Sequence, residues 1–86
     1  MSAPRRVRVL YFAAVRDVVG CEEEVLEPPS TVGTVRDFTV WIGERHVALA
    51  PRMGSVRIAR NEAFASDDDA IEDGDVLALI PPVAGG

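Results

Sequence analysis

The residues best suited to carry chemistry are the last six, Pro81-Pro82-Val83-Ala84-Gly85-Gly86. Six extended residues reach about 20 Å, at roughly 3.3 Å each, so such a tail can leave the domain and enter a partner's narrow pocket. Glycine has no Cβ, and a protein wall closes on Gly85 and Gly86 without a clash. The carboxylate of Gly86 is unhindered and, with an ordinary pKa of roughly 3.3–3.7, ionised at neutral pH. A carboxylate is a poor electrophile until it is activated. This chain has no loop to cradle a nucleotide's phosphates, so the activation is expected from outside. The two glycines by themselves would equally suit a frayed terminus. Their place behind an apolar strand and a double proline gives them weight.

Other chemistries are excluded by residue count. All nine basic residues are Arg, so no lysine exists to complete a Walker A loop. The glycines at 20, 33, 43, 54, 74, 85 and 86 make no G-x-G-x-x-G fingerprint. One histidine, His46, and one cysteine, Cys21, offer no zinc-ligand spacing, and no metal site is expected. His46 lies in a polar, helix-like stretch and reads as a surface imidazole. Cys21 reads as structural, since nothing nearby is arranged to lower its pKa. The acidic runs Glu22–Glu24 and Asp67–Asp69 read as solvated loop charge.

The elements that must position the tail follow from pattern. The chain has 86 residues, enough for one domain, with 48% hydrophobic and 27% charged residues, which is a globular composition. The formal charge of −5 argues against nucleic acid and against an anionic membrane surface. The N-terminal apolar stretch is broken by Arg6, Arg8 and Arg16, so it reads as neither signal peptide nor membrane span. With a single cysteine this points to a cytoplasmic protein. We divide the chain into a domain over 1–80 and an extended tail over 81–86.

Arg6–Ala13 reads as a strand, Val15–Val19 as a helical turn stopped by Gly20, and Glu22–Glu27 as a second strand. Ser30 or Thr31 is expected to cap a helix beginning near Val32, with Val32, Val35, Phe38 and Ile42 on one buried stripe. Gly43 is expected to end or bend it, and Arg45–Ala50 to add a turn before Pro51. Strands are expected over Ser55–Arg60, Ala63–Ala65 and Asp75–Ile80. The first and last strands are the most apolar, which places them side by side, and parallel, at the sheet centre. The fold class is therefore α+β: a mixed sheet of four to five strands covered on one face by a helix, the β-grasp arrangement of ubiquitin.

Over almost its whole length the sequence resembles the molybdopterin synthase small-subunit family, ubiquitin-like sulfur carriers. The matching stretches are VRVLYFAAVRDVVG, Thr31-Val32, Asn61 between the middle strands, and DGDVLALIPPVAGG at the end. The resemblance implies that an E1-like adenylating enzyme uses ATP to form an acyl-adenylate on Gly86, and that a sulfur donor protein converts it to a thiocarboxylate. The tail would then enter the large synthase subunit, in a heterotetramer of two small and two large subunits. There sulfur would pass to cyclic pyranopterin monophosphate. Catalytic side chains would lie on the large subunit, and this chain would bind no cofactor of its own.

Alternation also offers a docking face. If Val7, Val9, Tyr11, Leu77 and Leu79 pack beneath the helix, then Leu10, Phe12, Ala78 and Ile80 point the other way, and Phe64 extends the patch. Arg16 is a candidate polar contact, or simply a solvated helix residue. Carriers for thiamine or cysteine synthesis, a protein modifier and an inert interaction module remain as alternatives. PPV before the last residues and the LYFAAVRDVVG opening favour molybdopterin.

Overall fold

The protein is described here by a computed structural model, which covers residues 4–82. The strands are β1 (Val7–Tyr11), β2 (Glu23–Leu26), β3 (Arg57–Arg60), β4 (Ala63–Phe64) and β5 (Val76–Ile80). The α-helices are α1 (Ala13–Val19) and α2 (Val35–Arg45), and a 3-10 segment covers Val47–Ser55. The sheet order is β2-β1-β5-β3-β4, with β1 and β5 parallel and every other pair antiparallel. The most apolar strands thus take the centre, as expected. The sheet is the five-stranded β-grasp with helix on one face only.

Alternation decides which face is buried. Val7, Val9 and Tyr11 of β1 and Leu77 and Leu79 of β5 turn inward and meet Val35, Phe38 and Ile42 of α2 in the core. Leu49 and Met53 of the 3-10 segment close one end of that core. Burying side chains of this kind stabilises by about 1.5–3 kcal/mol each.

The start of α2 corrects the expected cap. Thr34, not Ser30 or Thr31, is the N-cap: its hydroxyl accepts from the Asp37 amide at 3.2 Å. The Asp37 carboxylate accepts in return from the amides of Gly33 (3.0 Å) and Thr34 (3.2 Å). Two orphan donors of the first turn are satisfied reciprocally. The next amides are taken by a distant loop, Val35 donating to the Asp69 carbonyl at 2.9 Å and Arg36 to that of Asp67 at 3.0 Å. Val32 is buried but lies ahead of the helix.

Gly43 does not end α2, which continues through it to Arg45. Its bare Cα faces Ala50 and Met53, so the 3-10 segment packs closely there. That segment runs on through Pro51 instead of stopping at it, because a proline's missing N–H is cheap where hydrogen bonds are short-range and sparse. Gly20 does stop α1, in the left-handed region at φ 91°, with its amide on the Arg16 carbonyl at 2.8 Å.

Candidate functional site at the outer face and tail root

The face of the sheet away from α2 carries one continuous row. Leu10 on β1 sits opposite Ala78 on β5, Ala78 opposite Ala59 on β3, and Ala59 opposite Phe64 on β4. Leu10 is half-buried and Phe64 is 57% exposed. Ala78 and Ala59 are buried at 9% and 8%, because a methyl group in the middle of a sheet is overshadowed by larger neighbours. The row is a low alanine strip between two large apolar walls. Ala78 is therefore the floor of the patch and presents almost no surface itself. Ile80, half-buried, continues the same face toward the tail, and Phe12, 45% exposed, leads off the end of β1.

Two residues of this face escaped the sequence reading. Ala59 belongs to the row, and Arg57 lies opposite Ile80 with its guanidinium 3.8 Å from the centre of the Phe64 ring. The signal was present: once Ile58 faces the core, alternation turns both its neighbours outward. Arg16 is exposed on α1 with a carboxylate oxygen of Glu22 at 3.9 Å, and lines a shallow depression with Leu10 and Phe12.

β5 delivers the chain to Pro81 and Pro82. These two prolines, Ala14, Val15, Arg52, Ser55 and Val56 line a cleft of about 150 Å³ at the root of the tail. Val83, Ala84, Gly85 and Gly86, which carry the expected chemistry, lie outside the described residues.

At the opposite end of β5, Asp75 is 4% exposed and fully engaged. Its carboxylate accepts from Arg60 Nε at 2.7 Å, Asn61 Nδ2 at 3.0 Å and the Glu72 amide at 2.8 Å. Burial pushes its pKa up, but the bonds from Arg60, Glu72 and Asn61 outweigh that and hold it below the ordinary carboxylate value. Asn61, at φ 52°, also accepts from the Val76 amide at 2.9 Å. The motif residue Asn61 and the acidic-Gly-acidic turn thus act together as the anchor of β5. A broad depression of about 530 Å³ nearby, lined by Arg6, Arg8, Val25 and Asp73 among others, offers no free cation. Arg6 is paired with Glu27 at 3.1 Å and Arg8 with Glu23 at 2.6 Å.

His46 is not the surface imidazole expected. Its Nε2 lies 2.7 Å from Glu24 Oε1, and the buried Tyr11 hydroxyl donates to that same oxygen at 2.6 Å. Arg45 donates to Oε2 at 3.0 Å. Glu24 is therefore not a solvated loop charge either. It shares the inward face of β2 with Leu26, and the polar groups converge on it because burial would otherwise leave it unsatisfied. Burial works to raise its pKa, yet hydrogen bonds from Arg45, Tyr11 and His46 bring it down to about 2. Burial and the Glu24 carboxylate together push the Tyr11 phenol up. These bonds tie β1, β2 and the end of α2 together, so the cluster is a brace between the three elements. Among the described residues there is no group of three or more His, Cys, Asp and Glu placed to hold a metal ion. No described helix is long and apolar enough to cross a membrane.

The family model described as "ThiS family" matches residues 9–86. The chain belongs to the ThiS family. Within it, the chain is 38% identical to the molybdopterin synthase sulfur carrier subunit of Escherichia coli strain K12, over 93% of this chain and 99% of that one. It is 36% identical to the protein of the same name from Chlamydomonas reinhardtii, over 94% of this chain and 99% of that one. In three dimensions it matches the crystal structure of SAMP1, small archaeal modifier protein 1, from Haloferax volcanii. That match has a TM-score of 0.81 and 28% identity, and covers 94% of this chain and 99% of the other. The family and the β-grasp fold expected from the motifs are those found.

Proposed function

We propose that this chain is the sulfur carrier subunit of a cytoplasmic molybdopterin synthase. An E1-like enzyme joins the Gly86 carboxylate to AMP, releasing pyrophosphate from ATP. A sulfur donor protein then supplies sulfur at the sulfide level, which attacks the acyl carbon, expels AMP and leaves a thiocarboxylate. The tail enters the large subunit, the thiocarboxylate sulfur bonds to cyclic pyranopterin monophosphate, and water cleaves the acyl–sulfur bond, leaving sulfur on the pterin and a carboxylate on Gly86. The chain supplies the acyl group and the docking face; the catalytic side chains belong to the large subunit. ATP is consumed by the adenylating partner, and this chain needs no cofactor. The observation that carries the reading is the family match running through residue 86, behind an apolar row that leads into the tail root.

Coexpression with candidate adenylating enzymes and a sulfur source, followed by intact-mass analysis, tests it. One oxygen exchanged for sulfur, localised to Gly86, is the expected result. Deleting Gly86 should abolish the exchange while the fold is retained. Sulfur transfer by the truncated chain would refute the mechanism. Addition of the pterin precursor and the large subunit then separates molybdopterin synthesis from thiamine or cysteine synthesis.

The likeness to small archaeal modifier protein 1 favours a second reading, a ubiquitin-like modifier joined to lysines of other proteins. A ladder of conjugates in place of the sulfur-loaded chain would support it.

A further inference from the structure

Nine arginines stand against fourteen acidic residues in this chain. Arg6, Arg8, Arg16, Arg36, Arg45 and Arg60 each face a carboxylate of the domain. Arg5 donates to the carbonyls of Ile71 and Pro29. Among the described residues only Arg52 and Arg57 have no anionic or carbonyl partner for their guanidinium groups, and both are exposed. Each borders the start of the tail, from a different element. Arg52 lines the cleft with Pro81 and Pro82, and Arg57 lies across the ladder from Ile80, the residue before Pro81. Asp67 shares a depression with Arg57, but its carboxylate faces Arg36 at 3.9 Å.

We propose that Arg52 and Arg57 form a basic collar around the tail root that pairs with carboxylates at the rim of the partner pocket into which the tail inserts. This rests on the sulfur-carrier reading for the existence of that pocket. Charge complementarity decides the occupant. A chain of net charge −5 repels an acidic protein everywhere except where local cations are left free, so a rim of carboxylates is admitted in one register only. The Arg57 guanidinium carbon lies over the Phe64 ring, 3.8 Å from its centre, and with no carboxylate partner among the described residues its N–H groups are free to take a bidentate carboxylate beside the apolar row. A six-residue tail reaches at most about 20 Å when extended, well beyond a Debye length of about 8 Å at physiological salt, so a fully inserted tail and the collar would meet separate parts of the partner pocket. A pocket that is basic at its depth and acidic at its rim would meet both demands.

The test is binding of the full-length chain to purified molybdopterin synthase large subunit from the same genome, measured from about 50 to about 400 mM NaCl. Wild type should weaken steadily with salt. The double variant R52Q/R57Q should bind about 3- to 10-fold more weakly at the lowest salt and show a flatter salt dependence. R52K/R57K, which keeps the charge, should recover most of the salt slope, and this separates charge from lost packing on Phe64. Equal affinity and equal slope for wild type and R52Q/R57Q would overturn the collar and leave the carrier reading standing. That same result is expected if these arginines hold the chain's own terminal carboxylate. Absence of any wild-type binding to the large subunit would instead remove the carrier reading, and the collar with it.

Discussion

The two ends of β5 are built in opposite ways. At the start of the strand, Asp75 collects three hydrogen bonds, and Asn61 ties the β3–β4 turn to the Val76 amide. At the finish, Ile80 runs into two residues that have no amide hydrogen to donate, and the nearest cations are unpaired among the described residues. A strand held at its start by buried, satisfied polar groups stays in register, while the two prolines after its last ladder pair, Ile80 with Arg57, carry the chain off the sheet. The contrast assigns stability to the Asp75 end and recognition to the Ile80 end, and each assignment can be tried separately.

The largest effect belongs to the anchor. Asp75→Ala leaves Asn61 Nδ2 and the Glu72 amide without their acceptor and Arg60 with only its pairing to Glu72, and should cost about 2–4 kcal/mol of folding free energy, measured by urea denaturation. Sulfur loading of the fraction still folded should be unchanged; a loss of loading out of proportion to unfolding would couple the two ends. Ile80→Asp tries the other end. It should weaken large-subunit binding by tenfold or more yet cost only about 1 kcal/mol of stability, since the new carboxylate lies opposite Arg57. Unchanged affinity would take Ile80 out of the interface.

Glu24 offers a second, internal anchor for comparison. Its folded pKa, about 2, lies below its ordinary value of 4.5, so its contribution is complete above about 4.5 and fades as pH falls toward 2. Glu24→Gln should be less stable than wild type at pH 7, and the gap should close across that acid range. A gap that persists at the acid end would mean packing, and not charge, makes the brace. The smallest effect is expected far from both ends. A Cβ at Gly43 would sit 3.5 Å from Ala50 and 3.6 Å from Met53, ordinary contacts. Gly43→Ala should therefore raise stability by about 0.5–1 kcal/mol through helix propensity, read as a higher melting temperature.

The chemistry proposed for the tail rests on residue type and order alone: two prolines, two small residues and two glycines. The central parallel pair was legible, since the most apolar strands seek the middle of a sheet. Strand alternation then placed Leu10, Phe12 and Ile80 outside without any coordinates. Helix limits were harder. Thr31 and Thr34 are both sound caps locally, and the carbonyls of Asp67 and Asp69, more than thirty residues away, complete the start at Thr34.

The sequence by itself thus determined the central parallel pair and the apolar faces, because these follow from local periodicity and from what each side chain is. Only the tertiary structure decided which charges are spent inside the domain and which are left over. His46 and Glu24 were matched across 22 positions, Asp75 and Arg60 across 15. Pairing at such separations depends on where strands and helices meet in space, and no spacing rule along the chain encodes it. Arg52 and Arg57 are left without a carboxylate among the described residues because the other arginines are matched by contacts that only the fold creates.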